Sequence, residues 1–370
     1  MKGTPHSVLD ATEPRRGDET PFASLQDPLR ILVGPWWSDQ CALPARGLRG
    51  LGHHAVSVSC GARGPADIHS ITDIVLDRRR HPRRRLAKAT FIGWAAAHFD
   101  VYHFFQGRSL LRRPVDVRLF RVLNSRIIAH FCGSEVRNVE LLLQRNAGVA
   151  VTAPMQTPGQ IARVARWRRY ADRMLVATPD LLDIIPDSTW LPQMIDLQEW
   201  DALGSTTRVR DPRSAFRLVH VPTSPEKKGT RYIEEAVDRL RSKGLRIELV
   251  VLTNGAKRRQ IAQSLRTADA GIDQLLVGWY GIAATEMMAN RLPVLCFVRE
   301  DLRDAHAPDL PLISCSPTDV ERRIEELVET SESERAALGD RGRAYVERRH
   351  DIRVVSRRLV DIYMDGSSTR

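Results

Sequence analysis

Short apolar runs alternate with longer stretches of helical periodicity along most of this chain. Arg30-Ile31-Leu32-Val33-Gly34 is an apolar run entering a turn, which predicts a parallel strand buried on both faces. A helical stretch at 44–51 and a second strand at 52–58 complete a βαβ unit within about 30 residues. Further strands are predicted at 101–105, 127–131, 148–152 and 174–177, each separated by helix-forming sequence. Between Trp200 and Pro212 periodicity lapses and turn formers collect, which marks a linker. A second series follows: strand 216–221, helix 230–243, strand 247–252, helix 256–268, strand 271–276, a short helix carrying Glu286, and strand 294–298. Residues 331–364 are mostly helix-forming and highly charged.

Two such series predict an α/β protein with two Rossmann-like, doubly wound parallel-sheet domains facing a cleft. A chain of 370 residues is long enough for two full cores. The expected division is a disordered tail over 1–28, an amino-terminal domain over 29–200, a linker over 201–215, a second domain over 216–350 and a final helical segment over 351–370.

Composition narrows the class. Hydrophobic residues make up 42% and charged residues 27%, as in an ordinary soluble protein, and the longest nearly uncharged run, 89–99, is about half of what a bilayer span requires. The first 28 residues lack the apolar stretch of a signal peptide, so a cytoplasmic location is expected. Five cysteines, Cys41, Cys60, Cys132, Cys296 and Cys315, are widely spaced without metal-ligand spacing, which points to free thiols. The formal charge is +11, and residues 78–126 alone hold twelve Arg and one Lys against Asp100 and Asp116. The densest part, Arg78-Arg79-Arg80-His81-Pro82-Arg83-Arg84-Arg85, suits an anionic membrane surface or an anionic acceptor, with a solvated face as the plain alternative. No nucleic-acid motif accompanies it, and nucleic acid is not an expected partner.

Candidate chemistry concentrates in the second half. Gly278-Trp279-Tyr280-Gly281 runs into the helix that begins near Ile282 and carries Glu286. A helix start after a glycine turn offers free N–H groups to an anion, while a carboxylate one turn further in suits neutral sugar hydroxyls. Diphosphate at the turn and ribose at Glu286 would together read a nucleotide diphosphate; a packed helix with an exposed glutamate is the plain alternative. Pro225-Glu226-Lys227-Lys228-Gly229-Thr230 places a lysine and a glycine at another helix start, and Asn254 is a candidate wall for the base. In the first half, His130 leaves an apolar strand ahead of Gly133, Ser134 and Glu135, with Glu135 near enough in sequence to orient the imidazole. His103 ends another strand and is a second candidate.

These segments resemble the donor-domain signature of the retaining glycosyltransferases of family 4, which have the two-domain GT-B fold. The second Glu of that family's Glu-x7-Glu element matches Glu286, Asp269 matches its Ala-Asp pair, and Lys228-Gly229 matches its Lys-Gly. Asp273, Gln274 and Gly278 to Gly281 resemble a variant Asp-Gln-x-x-x-Gly-Trp-Tyr-Gly form. The chain departs from the pattern in three places: Gly278 stands where the first Glu is expected, Thr223 where an Arg is expected, and Gly34-Pro35-Trp36-Trp37 has one glycine where two are usual. The resemblance implies a nucleotide diphosphate sugar as donor, a hydroxyl acceptor, and no bound metal or other cofactor. It places Lys227, Lys228, Gly229, Asn254, Gly278, Tyr280, Gly281, Ile282 and Glu286 around the donor, with His130 and Glu286 as the catalytic pair and His103, Gly133, Ser134 and Glu135 near the acceptor or the sugar. It also implies that the last helix, through His350 to Tyr363, crosses back to the first domain. The expected function is sugar transfer in polysaccharide, glycolipid or glycoconjugate synthesis. A degenerate nucleotide-sugar binder and a GT-B nucleotide-sugar epimerase are the alternatives.

Overall fold

A computed structural model of the chain describes residues 27–36, 41–60, 72–76, 82–111, 114–146, 154–204, 214–253 and 256–365. The expected strand at 148–152, Arg78 to His81 and Asn254 lie outside the described residues. The amino-terminal part contains β1 (Arg30–Trp36), α1 (Ala42–Gly50), β2 (His54–Cys60), β3 (Ile74–Leu76), α2 (Pro82–His98), β4 (Val101–Phe105), α3 (Val115–Val122), β5 (Arg126–Phe131), α4 (Val139–Asn146), α5 (Pro158–Tyr170), β6 (Arg173–Val176), β7 (Thr189–Trp190) and α6 (Leu197–Gly204). The carboxy-terminal part contains β8 (Phe216–His220), α7 (Pro225–Lys228), α8 (Thr230–Ser242), β9 (Ile247–Val251), α9 (Arg258–Thr267), β10 (Ala270–Ile272), α10 (Ile282–Ala289), β11 (Val294–Cys296), α11 (Glu300–His306), β12 (Ile313–Ser314), α12 (Val320–Glu329), α13 (Glu332–Arg349) and α14 (Ile352–Met364).

The strands form two parallel sheets, ordered β3-β2-β1-β4-β5-β6-β7 and β12-β11-β10-β8-β9. Continuous apolar strands fit here because helices cover both faces of each sheet. On the first sheet, Leu32, Tyr102, Phe104, Ile127, Ala129 and Phe131 pack against Ile92 and Ala95 of α2, Phe120 of α3 and Trp167 of α5. The alternate residues Ile31, Val33, Val101, Phe105 and Ile128 pack against Leu48 of α1 and against Val355, Leu359 and Tyr363 of α14. The last helix thus completes the core of the first sheet. Arg126, at the start of β5, donates to the carbonyls of Ile362 and Asp365 and so anchors the end of α14. Strand order reverses between β1 and β4 in one sheet and between β8 and β10 in the other, the places where open α/β sheets leave a crevice.

The linker expectation changes. The stretch from Trp200 to Gly204, read as linker, is the second half of α6, because Leu197 and Trp200 bury against α9 and α10 and that packing overrides the local turn formers. The carboxy-terminal helical stretch breaks at the expected boundary between 350 and 351. After His350 the helix ends, Asp351 pairs as an isolated parallel bridge with Ile195, and Ile195 exchanges two backbone hydrogen bonds there, one with each neighbour of Asp351.

Leu359 is fully buried between α14 and the first sheet. Leu359→Ala is therefore expected to destabilise the protein by about 2–5 kcal/mol. Urea unfolding is the check, and a loss well below that range would mean that α14 is not part of this core.

Candidate functional site

The switch point of the carboxy-terminal sheet brings together the loops after β8 and β10. Asp273 leaves β10 and is buried. Its Oδ1 accepts Lys228 Nζ at 2.5 Å, and its Oδ2 accepts the Gly281 N–H at 2.7 Å. The lysine and the helix start that sequence reasoning assigned to a diphosphate therefore already share one carboxylate of the chain. Beside it, buried Gln274 holds the loop in shape: its Oε1 accepts the N–H groups of Leu276 (2.9 Å) and Val277, and its Nε2 donates to the carbonyls of Trp279 and Phe297. Asp273 and Gln274, noticed in the sequence only as part of a motif, are the residues that build this turn.

Gly278 has φ +87°, in the left-handed region, and a Cβ there would meet the Arg299 Cδ at 3.1 Å. A side chain at 278 would be strained by the backbone and crowded by Arg299. The Arg299 backbone N–H donates to the Gly278 carbonyl, and its guanidinium bonds Asp301 and, at 2.6 Å, Asp183 of the amino-terminal domain. Arg299 carried no signal in the sequence.

Tyr280 corrects an expectation. Its side chain turns inward rather than toward a donor: the ring is buried, and the hydroxyl lies 2.9 Å from both the Tyr345 hydroxyl and His350 Nε2. Trp279 is buried as well, edge-on to Trp190 of β7. Neither aromatic side chain of this turn is open to a ligand, and the Gly278 and Trp279 carbonyls and the Gly281 N–H already have partners within the chain.

Gly281 is extended and caps α10. Ile282 and Glu286 are half-buried and, with Thr285, form one wall of a narrow crevice whose other wall includes Leu43 of α1 and Met194. Glu286 thus faces the amino-terminal domain. Gly229, at φ +78°, joins α7 to α8 in close contact with Leu275, whereas Lys227 is exposed on α7 and stands outside the Asp273 cluster. His220, unremarked in the sequence, is buried where β8 meets β10 and bonds the Ile272 carbonyl and Thr230 Oγ1.

Across the cleft, His130 lies near the carboxyl end of β5 and is buried. Its Nδ1 is 3.1 Å from His103 Nε2, and His103 Nδ1 is 2.6 Å from the Tyr363 hydroxyl on α14. The two histidines expected as separate candidates are one chain of hydrogen bonds, and His130 Nε2 has no partner among the described residues. Glu135 does not orient the imidazole: its Oε1 accepts the Cys132 N–H, which closes the turn at Gly133. Ser134 is exposed, and its carbonyl accepts Gln160 Nε2.

A buried pair missed by sequence reasoning adjoins this turn. Arg137 Nη1 donates to Asp180 Oδ2, 43 residues away, a separation at which no local pattern links two residues. Arg137 Nε, Thr178 Oγ1 and Asp180 Oδ1 are buried without partners among the described residues. Buried polar atoms are ordinarily satisfied, so this cluster after β5 and β6 is open to a further hydrogen-bonding partner. Burial pushes the His130 pKa down to about 3 and the Arg137 pKa down to about 10. His130 is therefore neutral near pH 7, suited to hydrogen bonding and not to charge.

No protein-family model matches this chain, and no curated protein sequence matches it. Solved structures do match. A sucrose-phosphate synthase from Thermosynechococcus elongatus aligns with a TM-score of 0.61 at 13% identity, over 91% of this chain and 98% of that one. A glycosyltransferase from Rickettsia africae ESF-5 aligns at 0.60 and 12%, over 92% and 99%. Anabaena HepE, solved in complex with UDP-glucose, aligns at 0.58 and 10%, over 90% and 98%. The fold is therefore the GT-B arrangement of two parallel-sheet domains.

Two predictions follow from the buried groups. Lys228→Ala would leave the Asp273 carboxylate buried without its cation, an expected loss of about 3–5 kcal/mol in chemical denaturation. An unchanged midpoint would show that the pair carries no stability. Burial also lowers the pKa of His103, takes His130 to about 3, and takes His220 and His350 to about 4, from an ordinary value of 6.5. Below pH 6.5 the unfolded chain binds protons at these positions that the folded chain does not. Stability should therefore fall as the pH drops from 6.5 toward 4, by up to about 1.4 kcal/mol per pH unit for each histidine. A melting temperature constant from pH 7.5 to 5 would contradict this.

Proposed function

We propose that the protein is a retaining glycosyltransferase that moves a sugar from a nucleotide diphosphate donor to a hydroxyl acceptor without a bound metal. The observation that carries this reading is the set of buried polar atoms without partners among the described residues, on His130, Arg137, Thr178 and Asp180 at the carboxyl ends of β5 and β6, in a fold shared with sugar-nucleotide transferases. Glu286 receives the ribose hydroxyls. The first N–H groups of α10 and the Lys228 amine receive the diphosphate, with the lysine shared between phosphate and Asp273. Neutral His130 offers its unpartnered Nε2 to a sugar hydroxyl, and the polar atoms of Arg137, Thr178 and Asp180 receive the acceptor. Glu135 is engaged by its own backbone and serves no step as a nucleophile. Retention then follows when the acceptor oxygen attacks the anomeric carbon on the face that the diphosphate leaves. The carbon–oxygen bond to phosphate breaks, and the departing phosphate oxygen takes the acceptor's proton.

One observation favours a second reading, a nucleotide-sugar binder without turnover. Asp273 occupies both the Lys228 amine and the Gly281 N–H, and Arg299 fills the space beside Gly278. Incubation with a panel of nucleotide sugars separates the two. Nucleotide release that depends on an added acceptor supports transfer, and donor binding without release supports the second reading.

Glu286→Gln is expected to weaken nucleotide-sugar binding by tenfold to a hundredfold, the equivalent of about 1.5–3 kcal/mol for a charge-assisted hydrogen bond. Titration calorimetry with the donor identified in the panel is the check. Equal affinity in a variant that melts like the wild type would remove Glu286 from the donor site.

A further inference from the structure

Helices α2, α3 and α5 cover the same face of the amino-terminal sheet, since each leads into a strand on the β4-β5-β6 side and their inner residues share one core. Their outer surface is unusual. On α3, Val117 and Phe120 point inward, while Val115, Leu119, Val122 and, just past the helix, Leu123 are exposed, a stripe at i, i+4, i+7 and i+8; Val122 is 84% exposed. On α2, Leu86 is 71% exposed and Trp94 is 40% exposed, and α5 adds Ile161. Water-facing helix surfaces are ordinarily polar, so an aliphatic and aromatic patch spread over three neighbouring helices points to a partner.

Charge identifies the partner's chemistry. The sequences of these three helices hold one carboxylate, Asp116, which is buried and accepts the Ser109 hydroxyl and the Leu111 N–H. Between α3 and α5 runs an open groove of about 730 Å³, lined by Val115, Ala162 and Ala165 and by Arg118, Arg166 and Arg169. Arg118 donates to the Tyr170 hydroxyl, and Arg166 and Arg169 have no carboxylate partner among the described residues. Cations over an apolar floor beside exposed leucine, valine and tryptophan match the headgroup and acyl boundary of an anionic bilayer. A nucleic acid would use the arginines and leave the aliphatic stripe in water. A symmetric second copy would bring two uncompensated arginine grooves together. Among the described residues no helix is long and apolar enough to cross a membrane, so the contact is peripheral.

We propose that the α2-α3-α5 face docks on membranes rich in anionic phospholipid, with the apolar side chains at the acyl boundary and the Arg118-Arg166-Arg169 groove around a lipid phosphate. This inference stands independently of the transferase reading. The test is sedimentation of the full-length chain with vesicles of phosphatidylcholine alone and of phosphatidylcholine with phosphatidylglycerol, at low and high salt. Two variants accompany it, Leu119→Glu with Val122→Glu, and Arg118→Gln with Arg166→Gln and Arg169→Gln, each checked by thermal melting. The wild type is expected to pellet with anionic vesicles at low salt and to be released by high salt, and each variant to bind at least about tenfold more weakly while melting normally. Four results would overturn the proposal. They are wild type left in the supernatant, binding unchanged in both variants, release by inorganic phosphate at constant ionic strength, and concentration-dependent self-association abolished by the glutamates. The third would assign the groove to a free anion, and the fourth would assign the face to a second copy.

Discussion

The two domains are held in one arrangement by the place where the chain crosses between them twice. At Ile195 and Asp351 the outgoing and returning segments run side by side, and Ile195 donates to the His350 carbonyl while the Ile352 N–H donates to Ile195, both at 2.9 Å. His350 extends the junction, with Nδ1 on the Gln193 carbonyl and Nε2 on Tyr280. Because Tyr280 belongs to the turn that precedes α10, the junction, the domain orientation and the start of the candidate donor site are one hydrogen-bonded unit. The return of α14 onto the first sheet depends on the same crossing, and with it the Tyr363 hydroxyl that bonds His103. A change at the crossing would therefore be felt on both sides of the cleft.

The cleft itself is electrostatically guarded. On one side, a buried carboxylate occupies the donors at a helix N-terminus, which keeps the Lys228 charge and the Gly281 N–H satisfied in the absence of ligand. On the other, burial holds His130 neutral, and the Arg137–Asp180 pair is internally neutral. On the proposed reading, an arriving diphosphate would compete with Asp273 for its cation, and an arriving hydroxyl would meet atoms that lack partners among the described residues. The first arrangement favours selectivity over raw affinity. The second favours a polyhydroxylated ligand, because donors and acceptors stand side by side without excess charge.

The first sheet is asymmetric in a related way. One face is sealed by α1 and α14, whereas the helices on the other face bury only their inner sides and leave aliphatic and arginine side chains outside. The concentration of positive charge in residues 78–126 acquires an address from this packing. Arg121 is paired with Asp172 and Arg168 with Asp187, whereas Arg118, Arg166 and Arg169 line the α3–α5 groove, whose lining holds no carboxylate.

Local chemistry was enough to determine the two series of parallel strands, since a strand buried on both faces needs a continuous apolar run such as Ile31-Leu32-Val33 or Ile127-Ile128-Ala129, and such runs are visible without a structure. The turn at Gly278 to Gly281, the helix behind it, Glu286 on that helix and the basic character of the first domain were legible for the same reason. Tertiary structure alone decided what those residues touch. It joined Asp273 to Lys228 across 45 positions, Arg137 to Asp180 across 43, and His103 to Tyr363 across 260. It turned Tyr280 inward, detached Glu135 from His130, packed Arg299 against Gly278, and drew the supposed linker at Trp200 into a helix. Periodicity reports how one segment meets water or core, whereas a site is made of contacts between segments, and these are set only when the sheets close and the chain crosses back.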